Sequence, residues 1–227
     1  MNVVLLFIEI FCTFGAVVLA NKFFGKYGLL AWVPIASILA NIMTAKTVDM
    51  FGLSSTMGTV LFASTFLATD ILTENYGVKY ARKAVFIGMF GTLFYILSSQ
   101  IAIHYMPSMF DYAHDSMVTI FSLSLRISIS SIVMYFIANM ADVYLYDKLK
   151  SKTGGKYMWL RNNVSTILCN CLENFFFMLM AFIGVYDLAT VIIMALSTSV
   201  IEIIAGVCDT PFLYIARRWG NKQEATE

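Results

Sequence analysis

The residues of this sequence that could do chemistry are charged side chains set within long apolar stretches. Asp70, Glu74, Arg126, Glu173 and Glu202 all interrupt runs of apolar residues. A charged side chain near the middle of a membrane-spanning helix costs about 2.5–3.5 kcal/mol on insertion scales, so such residues usually face a cavity or a partner. We interpret Glu173 and Glu202, which lie near the middle of their stretches, as ligand or proton sites.

Helical spacing groups these residues with other polar and small residues, because side chains three and four positions apart lie on one helix face. Four such faces occur: Thr59, Ala63, Phe66, Asp70 and Glu74; Ser124, Ser128, Ser131, Tyr135, Asn139 and Asp142; Asn163, Thr166, Asn170, Glu173 and Phe177; Ser199, Glu202, Gly206 and Asp209. Together they predict a wet, largely acidic cavity between four helices. For the Ser-rich face the alternative stays open that small polar residues only hold helices together.

The remaining charges within the apolar stretches are assigned structural roles. Arg126 lies on the opposite side of its helix from the Ser-rich face. We predict that it pairs with a carboxylate such as Glu9 or Glu173 and acts as a structural or gating counter-ion. Glu74, toward the end of its stretch, is predicted to be a second structural or gating charge.

A cavity with carboxylates, amides and aromatic rings suits a flat heterocycle. The N1–H and exocyclic amine of a guanine-like edge would donate to a carboxylate, and its carbonyl oxygen would accept from an amide. The sequence has 19 Phe, 12 Tyr and 3 Trp to offer flat surfaces. The residues predicted to bind such a substrate are Asp70, Asn170, Glu173, Glu202, Asn41 and Phe66.

The elements that carry these residues are predicted to be membrane-spanning helices. Hydrophobic residues make up 59% of the 227 residues and charged ones 13%, against about 25% charged in soluble domains. A hydrocarbon core needs about 20 apolar residues of helix, and seven stretches qualify: 3–20, 28–45, 56–73, 84–105, 117–141, 163–184 and 188–215. They do not alternate as barrel strands would. We predict an all-α polytopic transmembrane bundle of about seven spans that forms a single integral membrane domain, 1–227.

The basic residues predict the orientation of this bundle. Thirteen of the 15 Lys and Arg residues fall in the connectors on one side and in a short tail at 217–227. Because cytoplasmic connectors are enriched in Lys and Arg, seven spans put the N-terminus outside the cell and the C-terminus in the cytoplasm. The first stretch lacks a basic n-region and a clear cleavage site, so we interpret it as a retained span.

Several function classes are disfavoured. The net charge of +1 gives no indication of a nucleic-acid partner. All four cysteines fall within spans without zinc spacing, and the two histidines, His104 and His114, lie near one outer connector without an HExxH or Ser/His arrangement. We therefore expect no enzyme, no metal site and no cofactor. The expected partners are the lipid bilayer and a small purine-like base or nucleoside, and a homo-oligomer is left open.

A family resemblance adds to this interpretation. Residues 66–77, Phe-Leu-Ala-Thr-Asp-Ile-Leu-Thr-Glu-Asn-Tyr-Gly, followed by Lys-Tyr-Ala-Arg-Lys-Ala at 79–84, resemble the signature of the YhhQ-type queuosine-precursor transporters, also called the VUT or vitamin uptake transporter family. Agreement continues at Arg126, 159–166 and 209–214, so the resemblance covers roughly 41–214.

The resemblance implies a multi-pass protein of the cell inner membrane that imports queuosine precursors for tRNA queuosine modification. The implied substrates are 7-deazaguanine bases, such as 7-cyano- or 7-aminomethyl-7-deazaguanine, or queuine or queuosine. It also implies no ATPase subunit, and the sequence has no P-loop. The alternatives are a substrate-binding membrane subunit that needs a separate energising module, and an importer of another planar heterocycle.

Within this resemblance, Asp70, Asn170 and Glu173 are assigned to the hydrogen-bonding edge of the substrate, and Glu202 to charge recognition or proton coupling. Two positions depart from the family pattern. Members often carry Gln or Asn and then Asp where this chain has Asn170 and Glu173, and many carry Lys where it has Glu202. The first span is extra relative to six-span members. As a hypothesis, the extra acid favours a substrate with a cationic amine, meaning the aminomethyl base or queuine.

Overall fold

A computed structural model describes residues 1–122 and 125–223, without the side chains of residues 54, 125–126 and 220–223. This part of the chain forms seven helices and a hairpin of two short antiparallel strands: α1 (Asn2–Met43), β1 (Thr47–Met50), β2 (Leu53–Thr56), α2 (Thr59–Asn75), α3 (Val78–Ile103), α4 (His114–Phe121), α5 (Leu125–Lys152), α6 (Met158–Phe182) and α7 (Leu188–Gln223). The predicted all-α class is confirmed, and the small hairpin is the one strand pair in the described ranges.

Helix α1 contains two of the predicted spans, because it folds back on itself. A straight helix of 42 residues would be about 60 Å long, yet the Asn2 side chain donates to the Asp49 carbonyl oxygen at 3.0 Å. The turn is at Gly25, whose φ of 55° lies in the region that glycine adopts readily. A Cβ on Gly28 would collide with the carbonyl group of Ala20. The two halves, 2–24 and 26–43, are therefore antiparallel and closely packed.

Five helices are long and apolar enough to cross a membrane. They are α1, α3, α6, the segment Ile127–Lys152 of α5 and the segment Leu188–Trp219 of α7. Large apolar side chains cover their outer surfaces; on α3, Phe90 is 71% exposed and Phe94 62%. Such a continuous apolar exterior is what a lipid-facing surface requires.

The fifth predicted span, 117–141, is wrong at its start. Helix α4 ends at Phe121, and Ser122 has a non-helical backbone with φ −78° and ψ 42° before α5 begins at Leu125. Apolar composition alone does not detect such a break, since a serine can hydrogen-bond its own backbone and interrupt a helix. Ser124, which begins the Ser-rich face, lies outside the described residues.

The connector between the fifth and sixth predicted stretches, which end at 141 and begin at 163, is shorter than these bounds imply. Helix α5 continues to Lys152 and α6 begins at Met158, so 153–157 alone connects them. Lys150 and Lys152 lie in the last turn of α5, where positive charge stabilises the helix C-terminus.

Helix α7 likewise continues through the first part of the predicted tail to Gln223. The tight turn between α6 and α7 is confirmed, since α7 begins at Leu188 directly after Asp187. Two hydrogen bonds from Thr190 hold the pKa of the Asp187 carboxyl below its usual value.

Helix α2 is the central helix of the bundle. It contacts α1, α3, α5 and α7, and fourteen of its residues are buried. Its hydroxyl side chains are satisfied within the helix, because Ser64, Thr65, Thr69 and Thr73 each donate to a carbonyl oxygen three or four residues earlier. A polar helix can therefore occupy the centre of the bundle without water at every hydroxyl.

The bundle has two distinct ends. One, here called the hairpin end, contains β1, β2 and the turn between α6 and α7. The other, here called the basic end, contains Lys22 close to Trp219, together with Lys150, Arg161 and Arg217 around Glu74. The four predicted polar faces run between these two ends.

Candidate binding chamber

A chamber of about 150 Å³ lies inside the bundle toward the hairpin end. Its walls combine apolar side chains with a larger set of polar ones. The polar residues that line it are Asn41, Thr44, Thr56, Thr59, Thr92, Ser131, Tyr135, Glu173, Asn174, Thr198 and Glu202. Two of these are carboxylates, and none of the described lining residues is Lys or Arg. The chamber therefore has polar groups set into a mainly apolar surface, and it is negatively charged where its glutamates are ionised.

The two glutamates of the chamber differ in their hydrogen bonds. Glu202 Oε2 accepts a hydrogen bond from Asn174 Nδ2 at 2.6 Å, and the same amide donates to Ser199 Oγ at 3.3 Å. Glu173 Oε2 is buried and has no partner among the described residues. A buried carboxylate oxygen without a partner is costly. Of the two glutamates, Glu173 is thus the one without a described partner and available to a ligand or a proton, while Glu202 is held in place by Asn174.

The wall opposite the glutamates supplies an amide and aromatic rings. Asn41 Nδ2 donates to the Ser37 carbonyl oxygen at 2.8 Å, which uses one of the hydrogen-bonding groups of its amide. The ring of Tyr135 packs edge-on against Phe62, with centroids 6.0 Å apart. The Tyr135 hydroxyl is buried without a partner in the described part of the chain. The chamber therefore has the donors, acceptors and flat surfaces that a planar heterocycle needs.

Gly88 on α3 makes room for Tyr135. A Cβ at this position would collide with the Tyr135 hydroxyl and would lie 2.9 Å from Val33 Cγ1. We expect Gly88→Ala to push the tyrosine ring into the chamber and to weaken ligand binding there about tenfold, with normal membrane insertion. Gly15→Ala is the matched control, because a Cβ there meets nothing within 4 Å and the binding affinity should stay at the wild-type value. Equal affinity of both variants would show that Tyr135 does not shape the chamber.

A second polar cluster lies deeper in the bundle. Asp70 on α2 faces Asp142 on α5 and lies within electrostatic range of Asp209 on α7, and all three are fully buried. Asn162 Nδ2 donates to Asp209 Oδ1 at 2.6 Å. The carboxyl oxygens of Asp70 and Asp142 have no hydrogen bond of regular geometry to a described residue. We refer to these three aspartates as the aspartate cluster.

A layer of buried residues separates the chamber from the aspartate cluster. Phe66 packs against Ala138 and Cys169, and its ring lies 5.5 Å from that of Phe62 in the chamber wall. Asn170 is 1% exposed, and its Oδ1 has no partner in the described ranges. In this conformation the chamber does not reach the aspartate cluster.

The basic end is closed by ion pairs that converge on Glu74. Its carboxylate lies 2.6 Å from Arg161 Nη2, 3.4 Å from Lys150 Nζ and 3.2 Å from Arg217 Nε. Tyr146 also donates to Glu74 Oε2 at 3.3 Å. One residue of α2 thereby holds the ends of α5, α6 and α7 together.

Three of the six predicted binding residues come together and three do not. Asn41, Glu173 and Glu202 line the chamber. Asp70, Asn170 and Phe66 do not line it, because each lies one or more turns deeper on its helix than the residues that do. The predicted pairing of Arg126 with a carboxylate stays a prediction, because its side chain lies outside the part of the chain that the structure describes.

Other residues with a place in these sites were missed as site residues. Asn174 is one of several amide residues within the apolar stretches, and the sequence gives no signal that separates it from the others. Arg161 was counted as a connector charge, yet its side chain is fully buried against Glu74. Asp142 and Asp209 sit at the ends of predicted spans, and no signal in a single sequence shows that they meet Asp70 across three helices.

Comparison with known proteins identifies the family. Residues 56–216 match the family described as "Putative vitamin uptake transporter". The chain belongs to this vitamin uptake transporter family.

The Bacillus subtilis (strain 168) protein called "Probable queuosine precursor transporter" is 32% identical over 206 residues, which cover 90% of each chain. The Escherichia coli (strain K12) "Queuosine precursor transporter" is 26% identical over 163 residues, covering 69% of this chain and 70% of that one. The Haemophilus influenzae protein called "Probable queuosine precursor transporter" is 30% identical over 132 residues, covering 58% and 54%.

The resemblance stated from the motifs is therefore confirmed. The chain is a member of a transporter family and not of an enzyme family, and it lies in the cell membrane with several membrane-spanning helices. No solved structure matches the sequence of this transporter. The matched region begins at β2 and includes both the chamber residues of α2, α5, α6 and α7 and the aspartate cluster.

Proposed function

We propose that this chain imports queuosine precursors, the 7-deazaguanine bases or their derivatives, across the cell membrane for tRNA queuosine modification. The family and the names of the three relatives support this function. One observation carries it: Glu173 and Glu202, on two different helices, line the same chamber within the bundle. Placing two carboxylates within the membrane costs more free energy than joining helices requires. Binding of a base with N–H donors would explain why both are present.

In this proposal the chamber residues hold the base by its edge and its faces. Glu173, with its open Oε2, accepts from the N1–H and the exocyclic amine of the deazaguanine ring. Asn41 donates to the ring carbonyl oxygen, and Phe62 and Tyr135 cover the ring. Glu202, which Asn174 holds in place, lies where it would meet a cationic amine on the substituent. This last assignment favours the aminomethyl base or queuine over the cyano base.

We further propose seven crossings, two of them from α1, with the N-terminus outside the cell. The basic side chains of Lys22, Lys150, Arg161 and Arg217 share one end of the bundle, and basic residues favour the cytoplasmic side. The C-terminal tail is then cytoplasmic. The hairpin end, near which the chamber lies, faces outward, from where the substrate enters.

Uptake in cells tests the proposed function. The chain is expressed in a strain that cannot make queuosine and lacks its own precursor transporter, and each 7-deazaguanine base is supplied in the medium. We expect queuosine in the tRNA with at least one base and none with the empty vector. Absence of tRNA modification with every base, although the chain is present in the membrane, would contradict the proposal.

Transport by the purified chain in liposomes tests whether it acts alone. We expect the chain by itself to exchange labelled base across the liposome membrane. The reason is that residues of this one chain form the chamber, the hairpin end and the basic end. Tight binding of the base without exchange would instead indicate a substrate-binding subunit that needs a separate energising module.

A further inference from the structure

The aspartate cluster has no part in the chamber and needs an explanation of its own. Asp70, Asp142 and Asp209 come from three different helices and have no exposed surface. None of the described Lys or Arg residues forms a salt bridge with them; the nearby cations of the basic end are bound to Glu74. Carboxylates that face one another away from water cannot all be ionised. At least one of them must hold a positive charge or a proton.

An independent feature indicates that the cluster receives a ligand. Thr166 on α6 is fully buried and directed at Asp142, yet its hydroxyl has no partner with regular hydrogen-bond geometry among the described residues. Asn162 Oδ1 is likewise buried and without a partner, while its amide nitrogen is bound to Asp209. Buried polar groups in native proteins are nearly always paired. Buried oxygen atoms without a hydrogen-bond partner, next to carboxyl groups that also lack one, favour a small positively charged ligand.

The ligand that best fits this cluster is a proton. Among the described residues, no group of three or more His, Cys, Asp or Glu side chains is arranged to hold a metal ion. A proton needs only one carboxyl oxygen and one acceptor, which the facing carboxyl groups of Asp70 and Asp142 provide. The titratable groups that act on Asp70 are Glu74 on α2, Asp142 and Tyr146 on α5, Cys169 on α6 and Asp209 on α7. None of these groups is a cation.

The cluster lies between the chamber and the basic end. On α5, Tyr135 in the chamber wall is followed by Asn139 and then Asp142; on α6, Glu173 is separated from Thr166 by Asn170. Seven residues of helix correspond to about 10 Å. A proton that enters through the chamber therefore has one layer of buried residues to cross, in which Asn139 and Asn170 lie beside the apolar cluster of Phe66. Beyond the cluster lie Glu74 and its ion pairs, which close the way to the other side.

We propose that the aspartate cluster, centred on Asp70 and Asp142, binds the proton whose inward movement drives uptake. This inference rests on the proposed function, because it explains how the importer accumulates its substrate. A proton from outside forms an O–H bond with a carboxylate oxygen of the cluster while the chamber holds the base. The same bond breaks when the basic end opens, the proton leaves to the inside, and the carboxylate is regenerated. No other bond changes.

Proteoliposomes with an imposed gradient test the inference. Exchange of labelled for unlabelled base, which needs no driving force, is measured first for 7-cyano- and 7-aminomethyl-7-deazaguanine. Accumulation is then measured with the faster base under an inward proton gradient, an inward sodium gradient or no gradient, with the membrane voltage clamped and protein-free liposomes to correct for passive trapping. One pH unit can drive up to about tenfold accumulation at one proton per substrate. We expect severalfold accumulation under the proton gradient alone.

Asp142→Asn is the decisive variant, because asparagine resembles the protonated aspartate but cannot release a proton. We expect it to keep at least half of the wild-type exchange and to lose accumulation, with an inside-to-outside ratio near one. Asp147→Asn is the control that removes a carboxylate on the same helix but outside the cluster, and it should keep both activities. If Asp142→Asn does not insert, Asp209→Asn is judged by the same criteria.

The outcomes separate the inference from the proposed function. Wild-type chain that neither exchanges nor binds either base would overturn the proposed function. Binding without exchange would overturn transport by this chain alone, and the proton site with it. Normal exchange without proton-driven accumulation, accumulation driven by sodium instead, or full accumulation by the Asp142→Asn variant would each overturn the proton site and leave the importer intact.

Discussion

Glu202→Lys is expected to reverse the preference of the transporter among deazaguanine bases. In the wild-type chamber, Glu202 and Glu173 provide two carboxylates and no described cation, so a substrate with a cationic amine should be favoured over the neutral cyano base. Lysine would repel that amine. At about 5 Å and an effective dielectric constant near 20, one unit of charge is worth about 3 kcal/mol. Loss of one unit of charge in Glu202→Gln should therefore lower the ratio of aminomethyl to cyano uptake on the order of a hundredfold. Glu202→Lys changes the charge by two units and should lower this ratio further.

Competition for uptake of one labelled base by the other, unlabelled base measures this ratio. Glu202→Gln, which removes the charge without reversing it, should give an intermediate ratio. Asp147→Asn is the control, since Asp147 is a partly buried carboxylate on α5 that does not line the chamber. An unchanged ratio for Glu202→Lys, with uptake still measurable, would disprove charge recognition by Glu202.

Glu74→Gln is expected to cause the largest loss of stability among single substitutions at the basic end. Glu74 is 4% exposed and pairs with Arg161, whose side chain is fully buried. Removal of one partner from a buried ion pair costs about 3–5 kcal/mol, because the other charge stays buried and unpaired. The midpoint of thermal unfolding in detergent should fall by roughly 10 °C. Uptake should fall with it, since the helix ends that close this side would no longer be held together.

Arg217→Gln provides the matched control for Glu74→Gln. Arg217 pairs with the same carboxylate, but its side chain is 43% exposed, and exposed ion pairs contribute at most about 1 kcal/mol. The double variant Glu74→Met, Arg161→Met should be more stable than Glu74→Gln, because it leaves no unpaired buried charge at these two positions. Melting of Glu74→Gln within 2 °C of the wild type would contradict a structural role for this cluster of ion pairs.

The sequence predicted the helices well because their main signal is apolar length. Six of the seven predicted stretches lie almost wholly within one helix, and the turn at Gly25 divides α1 where the gap between the first two stretches was expected. The errors occurred where composition carries no information. Residues 117–141 are apolar on both sides of the break after Phe121, and the charges after Asp142 continue a helix that was taken to have ended.

The site was predicted only in part, because helical periodicity gives the face of a residue but not its depth relative to other helices. Asp70, Glu173 and Glu202 all lie on predicted polar faces, yet Glu173 and Glu202 meet in the chamber while Asp70 meets Asp142 and Asp209. That difference depends on how far each helix is shifted along the bundle axis. Arg161 illustrates the same limit, since nothing in the sequence distinguishes a buried arginine near a helix start from one in a connector.

A structure of the chain with bound 7-aminomethyl-7-deazaguanine tests the central claim most directly. We predict that the ring lies against Phe62 and Tyr135, with its N–H edge within hydrogen-bonding distance of Glu173 and its amine next to Glu202. Glu173→Gln under the same conditions should show an empty chamber. A base bound elsewhere, with neither Glu173 nor Glu202 in contact, would contradict the account.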